Sequence, residues 1–544
     1  MEIEAGLRIP PPALERALSR RPTSFLAALL LLPILAATPA AAQVRTGDAA
    51  WEAGDFSAAR AAYTRALADD PASVRSLYRL GLLASWDDRL DSALVLLRRA
   101  RTVDPEDPDV RYAEALVLSW DGDFGGAIAR YDSLIAAQPD RRDARIGRAR
   151  TLAWKGDLDG AERAFEALVA MDPSDPEARN GRAQVLSWRG DWDAATLEYG
   201  AVLASDPGNS EALTGLGRLR LWRGSPSLAL RAADAALAAE PANRDARLLR
   251  RDARNALRPY LDLTLGWSDD SDDNTAFWQV VGASVSLADG LRGFGRLGLL
   301  EATDETRDAL RSLAEAGIIL TRGPWGFTLG AGARTLEPDP VDGDGRTAFT
   351  ARANAAWKVA AGASLGVGYA RYPFDETAFL IGRDVDIDEV EASGDLTLAQ
   401  GLVLGMGGSY AWLTDDNRRH ALVGALSKDV SGGLWLGGYG RWLAYDAPGI
   451  GYFSPDRYLV AEGRIGWNRT PAPWGWRLMG GLGAQWIGSG ADAQEEWRIE
   501  ARLVRQLGDA STLEAWGGYT NAAISSTTGA YRFATAGVMG RIGL

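Results

Sequence analysis

A 34-residue repeat through the first half of the chain and a two-residue alternation through the second predict two domains of different class. They are an α-helical tetratricopeptide-repeat solenoid and, after it, a transmembrane antiparallel β-barrel of about 16 strands. A third observation is an N-terminus that is basic, then apolar, then small, which predicts export. The bounds read from these signals are 1–42 for a signal peptide, 43–257 for the solenoid and 258–544 for the barrel.

Composition supports the division. The first half is rich in Ala, Leu, Arg and Asp, the second in Gly, Trp and Tyr, and the change falls near Pro259. The formal net charge of -13 and the lack of a basic stripe argue against nucleic acid as a partner. The chain has no cysteine, which excludes disulfides, thiolate zinc sites and a lipid-anchored N-terminal Cys.

At the N-terminus Arg16, Arg20 and Arg21 precede the apolar run from Phe25 to Ala37, and Ala40, Ala41 and Ala42 stand before Gln43. A basic flank, a short apolar core and a small-residue cleavage site are the parts of a secretory signal. The run is short for a bilayer-spanning helix, although an N-terminal anchor is the competing reading.

The repeat follows from four residue series in one period. Prolines stand at 71, 105, 139, 173, 207 and 241, and alanines at 59, 93, 127, 161, 195 and 229. Tryptophans recur at Trp86, Trp120, Trp154, Trp188 and Trp222, and glycines at Gly54, Gly122, Gly156, Gly190 and Gly224, with Asp88 in the gap. Small residues at Gly81, Ala115, Ala149, Ala183 and Gly217 let the first helix of each unit approach the second. Leu97, Tyr131, Phe165 and Tyr199 lie four residues beyond the alanines, on the same helical face, and are expected to fill the core. Proline ends the second helix because it cannot extend the hydrogen-bond ladder. The recurring tryptophan admits two readings, an aromatic ladder for sugars or one large side chain closing each hairpin core, and the second is preferred. Such units bury their apolar faces only by stacking, and the resulting surface is expected to hold a periplasmic protein partner.

Beyond Pro259 the segments alternate. Trp497, Ile499, Ala501 and Leu503 oppose Glu496, Arg498, Glu500 and Arg502, so one strand face is apolar and the other charged. A membrane barrel turns the first face to outer-membrane lipid and the second to a wet lumen. Sixteen segments begin near Tyr260, Thr275, Leu291, Ala309, Trp325, Arg346, Ala363, Asp386, Leu402, Asn417, Leu434, Asp456, Trp474, Gln494, Ser511 and Gly529. Tight turns such as 288–290 and 322–324 alternate with longer connections such as 338–345, 374–385 and 446–455, as in a barrel with short periplasmic turns and long external loops. Trp267, Trp325, Trp357, Trp412, Trp442, Trp467, Trp474, Trp476 and Trp486 cluster at strand ends, as interfacial girdles require.

A barrel of this size encloses a porin-like aqueous passage unless something fills it. The expected lining is Arg292, Arg296, Arg311, Glu315, Arg334, Arg352, Glu389, Glu391, Asp395, Glu462, Arg464, Arg477, Glu496, Arg498, Glu500, Arg502 and Glu514. The mixed signs fit cross-strand pairing as well as selectivity.

No metal-ligand spacing, nucleophile elbow or phosphate loop appears, so neither a cofactor nor an enzymatic activity is expected. The one histidine, His420, lies beside Arg418 and Arg419 near an expected loop and reads as a surface residue. The aspartates at 269–270, 272–273, 339, 342, 344 and 415–416 could supply oxygen ligands to Ca²⁺ but read as solvated loops.

The signal peptide, the repeats with their Trp-x-Gly signature and the Gly/Trp-rich barrel together resemble the YaiO-type family of outer-membrane β-barrel proteins. The layout is also similar to outer-membrane components that export cellulose or poly-N-acetylglucosamine. That second resemblance implies a solenoid that docks periplasmic machinery and a barrel that passes a polysaccharide. The alternative expectation is a non-transporting outer-membrane anchor for envelope assembly.

Overall fold

The computed structural model describes residues 39–470, 473–525 and 527–544. All of the expected signal peptide except 39–42 therefore lies outside the described residues. The chain divides into two compact units, residues 1–215 with 239–245 and residues 216–238 with 246–544.

The first unit is built of antiparallel helix pairs. They are α1 (Pro39–Glu52) with α2 (Phe56–Asp69), α3 (Val74–Trp86) with α4 (Leu90–Val103), α5 (Pro108–Asp121) with α6 (Phe124–Ala137), α7 (Arg142–Lys155) with α8 (Leu158–Met171), and α9 (Pro176–Arg189) with α10 (Trp192–Ser205). Three more helices follow in the chain, α11 (Ser210–Trp222), α12 (Pro226–Ala239) and α13 (Arg244–Leu257), and most of their residues belong to the second unit. The turn inside a pair uses the left-handed region at Gly156 (φ 92°), and in the second pair Asp88 occupies the same conformation (φ 65°). The next residue caps the second helix: Asp157 accepts the Gly160 N–H at 2.9 Å.

The alanine series is buried from Ala59 to Ala229, and Leu97, Tyr131, Phe165 and Tyr199 are buried beside it. Trp86 packs on Trp51 and Phe56, with ring centroids 5.1 and 5.2 Å apart, and the Arg79 guanidinium lies 3.9 Å from the Trp51 ring. Trp120 and Trp188 are partly buried against the cores of their own repeats. Trp154 is also partly buried, whereas Trp222, near the end of the series, is 37% exposed. A second small-residue series supports each large one. A Cβ on Gly147, Gly181 or Gly215 would stand 2.6, 2.2 and 2.2 Å from the rings of Tyr131, Phe165 and Tyr199 respectively. The aromatic of one repeat thus lies flat on the backbone of the next.

The second unit contains a closed antiparallel barrel in which consecutive strands pair and the last returns to the first. The strands are β1 (Tyr260–Asp270), β2 (Thr275–Ala288), β3 (Leu291–Thr303), β4 (Asp308–Arg322), β5 (Trp325–Glu337), β6 (Arg346–Ala360), β7 (Ala363–Pro373) and β8 (Asp386–Ala399). They continue as β9 (Leu402–Leu413), β10 (Arg418–Ser431), β11 (Leu434–Tyr445), β12 (Tyr458–Arg469), β13 (Trp474–Ile487), β14 (Gln494–Gln506), β15 (Thr512–Thr520) and β16 (Phe533–Gly543). Most starts fall within a residue of the sequence reading. Two fall later than expected. β12 starts at Tyr458 rather than Asp456, because Asp456 accepts the Ser489 N–H of the neighbouring loop. β16 starts at Phe533 rather than Gly529, because Ala523 and Thr527 are held by the barrel wall and a neighbouring loop, as described below.

The two faces of the barrel wall differ sharply. Leu297 is 66% exposed, Leu482 63%, Met406 61% and Ile499 61%, all pointing away from the barrel axis. This greasy outer face is far larger than an aqueous protein leaves uncovered, and it belongs to a barrel that sits in lipid. The tryptophans named at strand ends share the outward face, and Trp325 stacks on Trp357 across β5–β6 with centroids 5.2 Å apart. No helix among the described residues is long and apolar enough to cross a membrane.

Two outcomes test this fold. Gly181→Ala places a methyl inside the Phe165 ring and is expected to destabilise the helical unit by about 1–3 kcal/mol, read as an earlier loss of helical circular dichroism on heating. Leu482→Arg, midway along β13, is expected to cost about 2–4 kcal/mol in a lipid-refolding titration; a neutral result would mean that lipid does not cover this face.

Candidate pore and its loop closure

The strand alternation places all the charged residues expected in the lumen on the inward face, and the structure joins most of them. Glu315 of β4 pairs with Arg352 of β6 at 2.7 Å, bridging over Gly330 of β5, which has no side chain to intervene. Arg502 pairs with Glu514 at 3.3 Å. On β12 and β14, Arg464 and Arg498 reach Glu462 at 2.7 and 3.4 Å, Arg498 reaches Glu496 and Glu500 at 3.8 and 3.4 Å, and Arg464 lies 3.5 Å over the Tyr439 ring. Gly481 and Gly483 of β13 leave the space in which these groups meet. Arg296 shares the Phe294 ring with Arg352. Asp395 accepts from Ser364 at 3.3 Å, whereas Glu391 and Arg477 share the inward face without joining these ion pairs.

Arg292 does something else. Its guanidinium donates to the carbonyls of Ala256 and Arg258 at 2.6 and 3.0 Å, at the end of α13. Cations suit helix C-termini, where carbonyls lack partners. In the same unit, Asp289 of the β2–β3 turn accepts the Ser227 N–H at 3.0 Å in the first turn of α12, and Asn255 donates to Asp509 O at 2.7 Å. The β2–β3 turn therefore caps the start of α12, Arg292 of β3 caps the end of α13, and the turn at Asp509 receives the Asn255 side chain.

Several inward charges escaped the sequence reading, Arg441 of β11 among them. Asp262 of β1 pairs with Arg541 of β16 at 2.6 Å across the strand pair that closes the barrel. Arg419 pairs with Glu389 at 2.9 Å. The strand phase around 418–420 resolves the ambiguity: Arg419 points in, and His420 points out. His420 lies near the start of β10, 3.1 Å from Asp446 and edge-on to Tyr410.

The largest departure from the sequence reading is at the end of the barrel that carries the long connections. Residues 374–385, expected as a plain loop, fold into the barrel mouth and contain one helical turn, α14 (Ala378–Ile381). On one side, Ala378 and Ile381 pack with Leu300, Ala302, Ala309 and Leu336 of β3–β5. On the other, Phe374, Leu380 and Val385 pack with Ile387, Leu413, Leu443, Tyr458 and Val460 of β8–β12. A segment touching both walls crosses the opening. Its electrostatic anchor is Asp375, 1% exposed, whose carboxylate reaches Arg334 at 2.7 Å and Arg311 at 3.5 Å.

Two further loops lock onto it. Phe379 lies where a Cβ of Gly451 would be, Phe453 covers Gly529, and Phe453 N–H donates to Thr527 O at 2.7 Å. Thr527 also bonds Glu376. In the 446–457 loop Tyr452 donates to Asp415 at 2.8 Å and accepts from Asn417 at 2.9 Å, and its burial pushes the phenol pKa up. Gln485 holds the third loop by accepting the Ala523 N–H and donating to Asn521 O, both at 3.0 Å. At the β1–β2 connection, Asp270 accepts from the Asp272 and Asn274 backbones at 2.9 and 3.1 Å, so this aspartate shapes a turn.

A tetratricopeptide-repeat family model matches residues 50–117 and 121–185, and these residues are tetratricopeptide repeats. No curated protein matches the chain by sequence. Among solved structures the chain is similar to one described as a bacterial polysaccharide outer membrane secretin, at 13% identity and a TM-score of 0.42 over 53% of this chain and 99% of that one. It is also similar to a tetratricopeptide repeat protein from Parabacteroides merdae, at 18% identity and a TM-score of 0.35 over 40% of this chain and 86% of that one. A thermophilic repeat protein of Thermus thermophilus matches at 24% identity and a TM-score of 0.31, over 34% and 99% of the two chains.

Removing Asp375 leaves Arg311 and Arg334 facing each other in a confined space, a change worth about 3–5 kcal/mol where a buried pair is broken. Asp375→Ala is expected to release the folded-in segment, read as trypsin cleavage after Arg383 in a barrel that otherwise resists the protease. Protection equal to that of the parent would show that the apolar contacts alone hold the segment.

Proposed function

We propose that the protein is an outer-membrane channel with a periplasmic docking solenoid, that a polysaccharide passes through its barrel, and that it catalyses no reaction. The carrying observation is the closed sixteen-strand wall, greasy outside and lined inside by charged and hydroxylated side chains. Sixteen strands enclose a channel wider than their own side chains fill. The first strand follows the repeats directly and leads to the end with long connections, so the repeats belong on the periplasmic side and the interlocked loops outside. The residues proposed to line the pore are the inward charges named above, with Asp262, Arg419 and Arg541 added.

In this reading the solenoid recruits a periplasmic protein, the usual use of stacked helical repeats. The folded-in segment is the resting gate, and cargo moves when it swings out. Polysaccharide as the cargo, and the likeness to the YaiO-type layout, rest on the arrangement of repeats before barrel.

The loop closure also favours a second reading. A barrel whose mouth is spanned by three interlocked loops, and whose inward charges neutralise each other, could serve as a non-transporting anchor for a periplasmic scaffold. Planar-bilayer recording separates the two. A channel is expected to show rare openings in the parent and at least tenfold more frequent openings in Asp375→Ala; silence in both favours the anchor. Loss of secreted polymer on gene deletion is the expected cellular counterpart, and His420→Ala is expected to leave it unchanged.

A further inference from the structure

Four inward aromatics stand directly opposite glycine across a strand pair: Trp278 and Gly266, Phe294 and Gly317, Trp435 and Gly466, Trp516 and Gly537. Each ring lies over its glycine. A Cβ on Gly266 would stand 2.2 Å from the Trp278 indole, and one on Gly537 2.2 Å from that of Trp516.

Two of these pairs form one row. Gly266 pairs with Gly537 across the β1–β16 seam, so Trp278, Gly266, Gly537 and Trp516 stand side by side on four adjacent strands. The tryptophan backbones are three strand spacings apart, about 14 Å. Each indole leans towards the other over its own glycine, and the glycines are one spacing apart. The two rings therefore cover neighbouring glycines of the inner wall, and Trp278 packs against the cluster that holds Ala378 and Ile381 of α14.

The four faces are not equivalent. Phe294 is covered by the Arg296 and Arg352 guanidiniums, and the Trp435 indole nitrogen is buried. Trp278 and Trp516 have no ring or cation partner among the described residues, and both remain partly exposed. Trp278 packs on one side against the apolar α14 cluster, and polar groups stand along the row. Thr264 and Ser268 flank Gly266 on the same face of β1, and Arg502, paired with Glu514, stands opposite Trp516.

We propose that the Trp278–Trp516 row is a carbohydrate-stacking site that takes the flat C–H faces of consecutive pyranose rings in a β-linked chain. An aromatic face is electron-rich and apolar, and attracts polarised C–H groups. The hydroxyls at the rim of a sugar ring then reach Thr264, Ser268 and the Arg502–Glu514 pair. A purely apolar ligand would find no enclosure on an open wall, whereas a sugar needs one greasy face and a wet edge. The proposal rests on the passage reading, since only a saccharide in the lumen meets this wall.

The competing role for such rings is to shield strand glycines, and the variants are chosen to separate the two. The full chain in detergent is titrated with cellohexaose by saturation-transfer NMR, and folding is checked by heat-modifiable gel migration. Stacking predicts that Trp278→Tyr with Trp516→Tyr retains binding within about threefold. It predicts that Trp278→Leu with Trp516→Leu, which keeps an apolar cover but no flat face, loses at least tenfold, while Trp435→Leu changes nothing. No binding to the parent chain, or equal binding by the folded leucine pair, would overturn the proposal. Binding without conductance would reject passage and leave the site standing; conductance without binding would do the reverse.

Discussion

Inside hydrocarbon a peptide group has no water to bond, so every backbone N–H and C=O in the second unit must find a partner within the sheet. The β1–β16 pairing meets that demand. It runs in register from Tyr260 opposite Gly543 to Asp270 opposite Phe533 and leaves the sheet no edge. Everything else about the barrel depends on this closure. With the backbone satisfied, the outward face is free to be wholly apolar and the inward face to be charged, and a period of two assigns each residue to one face or the other.

Closure also creates an inner wall that has to be lined. Small strand residues and long charged ones share the work: Gly330, Gly481 and Gly483 open gaps into which Arg352, Arg464, Arg498 and their carboxylates extend. Ion pairing inside the wall keeps charge without leaving it bare, which limits the desolvation cost. At the mouth the filling is done by loops. The 374–385 segment combines an apolar cluster on both sides with a single carboxylate held by two guanidiniums, so it is packed like a core and anchored by one buried charge. In the proposed channel this segment is the resting gate, and the bonds from Phe453 and Glu376 to Thr527 tie it to the two neighbouring loops.

The helical unit solves the opposite problem with the same device. Helices satisfy their own backbones, and what remains is to bring them close. Small residues at two positions of each repeat let an aromatic lie flat on the neighbouring backbone, as Phe165 does on Gly181. In the second unit, Asp289 accepts an orphan N–H at the start of α12, and the Asn255 side chain ties α13 to the turn at Asp509.

Much of this architecture is legible in the amino-acid sequence alone. Repeat length, helix punctuation and strand phase are local properties, carried by periodic residues such as the prolines from 71 to 241 and the alternation from Trp497 to Leu503. They determined the fold class, the strand number and the inward face of the charges read from the clearest alternations, because a side chain's face depends only on its place in a regular period. What only the tertiary structure decided has no period. Nothing around Asp375 announces that it meets Arg311 and Arg334, and nothing in Trp278 and Trp516, more than two hundred residues apart, announces one row across the seam. Those relations arise when closure brings the chain's ends together and when loops choose between water and a greasy mouth, and both outcomes depend on contacts distant in sequence.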